Sequence, residues 1–192
     1  MYAFERFRIS STVISKDFFL FLLGIIKRCI ILYFKMIEQI STFFTTDIIY
    51  LWLNLGVIPF WFTLIIFPQS KICTYLVTSI FPIILLAFAY CYLVYLFLMN
   101  GYNFSQNFKL YLGLDELNIL FSETSFLLLF WTHFLGVNLF CGCWIVKDSQ
   151  RFSISKYILF IPLIITYFVG PLGILLYWLI KVVRANKISL YD

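Results

Sequence analysis

The chain has 192 residues, of which 63% are apolar and only 12% charged, and its mean hydropathy is +0.98. Soluble surfaces need roughly a quarter of their residues charged, so a soluble domain is excluded and an integral membrane protein is implied. The net charge of +5 comes from lysines and arginines at the two ends and in short connections, where residues flanking bilayer spans belong; it implies the bilayer as partner and gives no reason to propose nucleic acid.

Residues 1–35 form an N-terminal extension with three open readings. The run "FFLFLLGIIKRCIILYF" at 18–34 is apolar, but Lys27 and Arg28 sit at its centre. Burying them would cost about 2.5–3.5 kcal/mol each. An interfacial helix with its basic pair at the headgroups avoids that cost. A targeting segment fits Arg6, Arg8 and several serines, against Glu5 and Asp17. The third reading takes Met36 as the natural start.

Residues 36–192 predict an all-α, four-helix transmembrane domain, because four runs reach the ~20 residues that cross a hydrocarbon core. The first is "DIIYLWLNLGVIPFWFTLIIF", 47–67, and the second covers 72–99, long enough to need tilt. A polar connection at 100–117 carries turn signals at Asn100-Gly101 and Gly113. The third span runs from about 118 to 146. "KDSQRFSISK", 147–156, reads as a polar loop, and the fourth span is "YILFIPLIITYFVGPLGILLYWLI", 157–180. An even number of spans puts both ends of the core on one side. Lys109, Lys181, Arg184 and Lys187 then oppose Lys71, Lys147, Arg151 and Lys156, a tie under the positive-inside rule.

Several chemistries lack their residues. A single histidine, His133, excludes a bis-histidine haem and the histidine-rich di-iron sites. There is no G-x-S-x-G elbow and no phosphate loop. The five cysteines (Cys29, Cys73, Cys91, Cys141 and Cys143) lie in apolar runs without C-x-x-C spacing, which describes packing rather than a disulfide framework or zinc site. Cys141 and Cys143 stand about 200° apart on a helix and cannot grip one metal. No metal and no cofactor is expected. The 24 phenylalanines and four alanines reflect composition bias rather than a pigment-stacking surface.

The polar residues inside the third span are the candidates that remain. At 100° per residue, Trp131, Leu135, Asn138 and Gly142 share one stripe, while His133, Gly136, Val137, Phe140 and Trp144 share the opposite one. His133 and Asn138 therefore need partners on different neighbours. Each either bonds another helix or serves a site, since ionisable groups in membranes are often functional. Gly136 and Gly142 permit close helix approach. Pro59, Pro82 and Pro171 free the carbonyls of Leu55, Thr78 and Tyr167 and predict kinks, so a polar slot beside Asn54, Thr78 and Tyr167 is one outcome and simple shaping of the packing the other. Glu123 sits about 15 Å before His133, too far to be its partner.

The third and fourth spans resemble the abscisic-acid-deficient-four family, the neoxanthin-synthase-type proteins of plastids and their bacterial relatives. Its pattern is similar to W-x-H-x-L-A-x-D-L-F-x-G-R-W followed by G-P-x-G-L-L. Trp131, His133, Leu135, Leu139, Phe140, Gly142 and Trp144 match, as do Gly170, Pro171, Gly173 and Leu175, and Pro59, Trp61 and Pro68 match in the first span. The resemblance covers roughly 42–181. It departs at Asn138, where the family has aspartate, and at Cys143, where it has arginine; losing both charges leaves no unpaired buried ion. The resemblance implies a membrane protein of an inner bacterial or organellar (plastid) membrane that acts on or binds a carotenoid or another lipophilic isoprenoid. If it is an enzyme, the reaction would be an epoxide-opening isomerisation, with His133 as the catalytic proton-transfer group and Trp131, Asn138 and Tyr167 lining the ligand cavity. A non-catalytic membrane binding or scaffold protein is the alternative.

Overall fold

The computed structural model describes residues 44–186 continuously, together with 24, 27, 28, 30–33, 35, 188 and 189. Residues 1–49 and 50–192 are separate units. In the first unit the described positions between 24 and 35 are helical and exposed, Lys27 and Arg28 among them; most of the 1–35 extension lies outside the described residues.

The described chain is all α-helical. Helix α1 is Thr46–Ile66, α2 is Phe81–Met99, α3 is Leu114–Ser122, α4 is Thr124–Arg151, α5 is Lys156–Phe168 and α6 is Gly170–Ala185. A π-helical turn, Cys73–Val77, leads into α2, and a 3-10 helix, Phe104–Tyr111, leads into α3. Helices α1, α2 and α4 are long and apolar enough to cross a membrane. On α1 the buried positions are Ile49, Leu53, Val57, Trp61 and Leu64, spaced to make one helical stripe. Its other faces expose Leu51, Trp52, Leu55, Ile58 and Phe62, which suits a lipid solvent as apolar as they are. The central helix is α4, burying Leu128, Leu135, Leu139, Ile145 and Val146.

Cross-helix contacts fix the directions. Asn54 meets Trp131, Trp61 faces Gly142, and Pro68 accepts from Gln150, so α1 and α4 run in the same direction. Helix α2 runs against them, since Val77, just before it, meets Cys143 while Leu86 within it faces Gly136. Packing along α1 depends on Gly142, where a Cβ would stand 2.8 Å from the Trp61 ring.

The fourth expected span is where the structure departs from the sequence reading. The run 157–180 does not form one crossing helix; it breaks at Val169 (φ −141°, ψ 86°) into α5 and α6, of 13 and 16 residues. Thirteen residues reach about 20 Å, short of a ~30 Å core. Gly170 packs against Asn138, halfway along α4, whereas Lys181 reaches Asp148 at the end of α4. Helix α6 therefore returns parallel to α4, towards the side from which α5 set out. The pair is a re-entrant hairpin, and residues 152–155, Ile158 and Arg184 line one cavity at its mouth. Non-helical backbone at this depth is tolerated where protein encloses it. Here Gly170 is buried and the Asn138 amide donates to the Tyr167 carbonyl at 3.3 Å.

Other boundaries shift with it. Residues 147–151 continue α4 rather than opening a loop, and Asp148 and Ser149 are buried. Helix α2 begins at Phe81, so Pro82 occupies its first turn, where its missing N–H costs nothing; Pro171 likewise starts α6. Neither kinks a helix, and Pro59 and Pro162 are the prolines that sit inside one. The third expected span is divided at Glu123 into α3 and α4. Cys73 lies in the connection between α1 and α2, fully buried, and burial pushes its thiol up to about 11, so it stays a protonated packing group.

With α1, α2 and α4 as the three crossings, cysteines introduced by Ser155→Cys and Asn186→Cys should react with a membrane-impermeant maleimide from the same face of sealed vesicles. Tyr111→Cys should react from the opposite face. A fourth crossing would instead place position 186 with position 111.

Candidate functional site

His133 opens into a cleft between α2 and α4. Its walls are Ile83, Leu86, Ala87, Tyr90 and Cys91 on one side and Thr132, Gly136, Val137 and Phe140 on the other, enclosing about 400 Å³. At Gly136 the cleft is open: a Cβ there would meet only Leu86 Cδ1, at 4.0 Å. Thr132 turns its hydroxyl back to the Leu128 carbonyl at 2.8 Å, which leaves the cleft wall apolar. His133 is exposed in the cleft, and the described residues offer its ring no hydrogen-bond partner. An imidazole placed among apolar groups without a partner is available to a ligand. The stretch of α2 from Ile83 to Cys91 is about 12 Å long, enough for a cyclic end group and a few chain atoms of a lipophilic molecule.

The other expected site residues lie elsewhere. Trp131 Nε1 donates to Asn54 Oδ1 at 3.2 Å, and Asn54 Nδ2 donates to the Tyr50 carbonyl at 2.7 Å. Its ring also stacks on Phe134 at 5.4 Å. This network joins α4 to α1. Asn138 is buried on the far face of α4 at the hairpin tip, and the Tyr167 ring packs edge-on against Trp61 at 5.3 Å. Asn138 and Tyr167 are thus brought together with each other but not with His133. The wheel's separation of His133 from Asn138 is what the fold shows.

Both positions that depart from the family pattern bond main-chain carbonyls. Asn138 donates to Tyr167, whose carbonyl is freed by Pro171, and the Cys143 Sγ sits 3.2 Å from the Val77 carbonyl at the end of the π-helical turn. Neither side chain reaches the His133 cleft.

A second polar centre was not anticipated from the sequence. Asp148 Oδ2 accepts from Tyr177 Oη at 2.7 Å and pairs with Lys181 Nζ at 3.0 Å. Lys181 is fully buried; it also donates to the Ser189 carbonyl at 2.9 Å and lies 4.6 Å above the Phe152 ring. Tyr177 and Lys181 are one turn apart on α6 and face α4 together. A lysine four residues after a tyrosine near a helix end was the available signal, but the sequence does not reveal that it faces inward. The Tyr177 hydroxyl and the Lys181 ammonium converge on one carboxylate oxygen of Asp148, so the centre acts as a latch holding the hairpin to α4. Among the described residues no group of three His, Cys, Asp or Glu side chains is arranged to hold a metal.

The family model of the ABA DEFICIENT 4-like proteins (ABA4-like) matches residues 48–177. No curated protein and no solved structure matches the chain.

Proposed function

The chain belongs to the ABA DEFICIENT 4-like family, and on that premise we propose that it binds a carotenoid or another lipophilic isoprenoid in the α2–α4 cleft, with His133 as the group that exchanges a proton with it. The observation that carries this reading is the unpartnered His133 in an otherwise apolar cleft of about 400 Å³. That volume lies in the ordinary range of small-molecule pockets. An oxygen on the ligand's end ring would supply the polar contact that the protein does not give the imidazole. A neutral imidazole accepts a proton and an imidazolium donates one, so a single histidine suits either half of an acid–base step near neutral pH.

The changes at positions 138 and 143 bear on this less than the sequence suggests. Both face away from the cleft and bond carbonyls, so they alter the scaffold rather than the cleft lining. A second reading, a scaffold protein without a reaction, draws on those same two structural bonds.

His133→Ala should remove ligand conversion or retention in a carotenoid-producing host while the protein accumulates normally, because His133 holds no structural bond. Gly136→Leu should fill the cleft and lower pigment retention at least as far, again with normal accumulation. Unchanged retention in both variants would take the ligand out of this cleft and leave the scaffold reading standing. Pigment co-purifying with each protein, measured by absorbance and chromatography, reads the outcome.

A further inference from the structure

The re-entrant hairpin gathers charge at one end of the unit formed by residues 50–192. Lys71, Lys147, Arg151, Lys156 and Arg184 all lie at the end where α1 and α4 finish and the hairpin opens. All are exposed and none has a carboxylate partner among the described residues. Among the described residues the only acidic side chain at that end, Asp148, is taken up by Lys181 and Tyr177. The opposite end of the same unit carries Lys109 with Asp115, Glu116 and Glu123. This asymmetry is a product of the fold; with a spanning fourth helix, Arg184 would sit on the other side.

Within the cationic end there is a shaped cavity of about 250 Å³, predominantly polar, bounded by Phe152, Ser153, Ile154, Ser155, Ile158 and Arg184. The Arg184 guanidinium has no hydrogen-bond partner among the described residues, and the Ser153 and Ser155 hydroxyls donate no bond there. Ser153 holds a left-handed backbone conformation, φ 51°, at the end of α4. Glycine is the unstrained residue at such a helix terminus. A serine there accepts backbone strain and gains a hydroxyl at the cavity wall, and strain of this kind gathers at binding sites.

We propose that this cavity binds the phosphate group of an anionic membrane lipid, with Arg184 as the charge partner and the Ser153 and Ser155 hydroxyls as donors. A guanidinium fork matches phosphate oxygens in geometry and charge. The location, at the mouth of a hairpin inserted from the membrane surface, is where lipid headgroups lie, and the surrounding cations raise the local concentration of anionic lipid. The shared chemistry is a phosphate with free oxygens, and a soluble phosphate would satisfy the same donors.

The full chain, reconstituted in nanodiscs of phosphatidylglycerol and phosphatidylcholine, is released and its retained lipids counted by native mass spectrometry. Selective retention of phosphatidylglycerol is expected. Arg184→Gln and Ser153→Gly should each weaken it about tenfold, the size of a lost charge-assisted hydrogen bond. Ser153→Gly relieves the strained backbone, so its effect cannot come from failure to fold. Lys147→Gln, exposed at the same end but outside the cavity, should change retention little. An excess of inorganic phosphate that displaces the lipid identifies a phosphate site open to soluble ligand; no displacement identifies the lipid as the source. Equal retention of both lipids would overturn the anionic-lipid site outright, and equal losses for Lys147→Gln and Arg184→Gln would overturn it in favour of diffuse surface charge.

Discussion

Replacing Lys181 by methionine is expected to destabilise the protein by roughly 3–5 kcal/mol, among the largest effects of any single substitution in the chain. The cause is what remains behind. Asp148 is only 4% exposed, and without Lys181 the partner left to it among the described residues is Tyr177. A carboxylate at this depth must then stay charged without a cation or take up a proton, and either choice is unfavourable. Methionine preserves most of the side-chain volume, so the loss reports charge rather than a cavity. The double variant Asp148→Asn/Lys181→Met should recover most of the stability, because breaking a buried pair costs far more than replacing it. The check is the midpoint of thermal unfolding in detergent for the three variants. A double variant no more stable than Lys181→Met would assign the effect to packing. The single variant should also lose the bond from Lys181 to the Ser189 carbonyl, one of the contacts that hold this segment beside Trp178 Nε1 on the Ile188 carbonyl, and so speed proteolysis there.

That latch shows where the sequence was and was not legible. Composition and span length identify a helical membrane protein because lipid demands long apolar runs with internally satisfied backbones. The same demand conceals the hairpin. Residues 157–180 are apolar on all faces whether they cross the bilayer or turn back within it, so no count of hydrophobic residues separates the two. Gly170-Pro171 marked the break, yet a proline in a membrane run reads equally as a kink. Its position in the first turn of α6 depends on Val169 leaving helical geometry, which is a tertiary outcome. Carbonyls freed by proline are more legible in the sequence. Pro171 left Tyr167 without a donor, and Asn138 needed a partner on another helix; the fold satisfies each with the other. What the sequence did not contain was which neighbour Asn138 would face. Lys181 was harder still. At the end of an apolar run it reads as a headgroup lysine, and only the returning direction of α6 brings it against Asp148.

Gly173→Ala is the second large effect expected, a loss of about 3 kcal/mol or more, the upper end for forced overpacking. A Cβ at this position would overlap the Thr166 hydroxyl and the Thr166 backbone. The hydroxyl is itself tied to the Pro162 carbonyl at 2.7 Å, and the backbone of a helix cannot step aside by rotamer change. The two arms of the hairpin would have to part, drawing Tyr177 and Lys181 away from Asp148. A graded series of glycine substitutions makes the claim sharp. Gly136→Ala should be close to neutral, since its Cβ enters open cleft. Gly142→Ala should fall between, because it presses on the rim of Trp61, a ring only 3% exposed and with little freedom to tilt. Gly170→Ala should break the Asn138 bond to Tyr167 by displacing the Asn138 side-chain oxygen. In a double-mutant cycle, Asn138→Ala should cancel the steric part of that loss but not the loss of the carbonyl's donor, so the two substitutions should be less than additive. Thermal midpoints ranked Gly173, then Gly170 and Gly142, then Gly136 would establish the hairpin's contact surface. A continuous fourth span has no reason to produce that order, because Gly173 would then stand two turns from Thr166 along one helix and touch nothing of it.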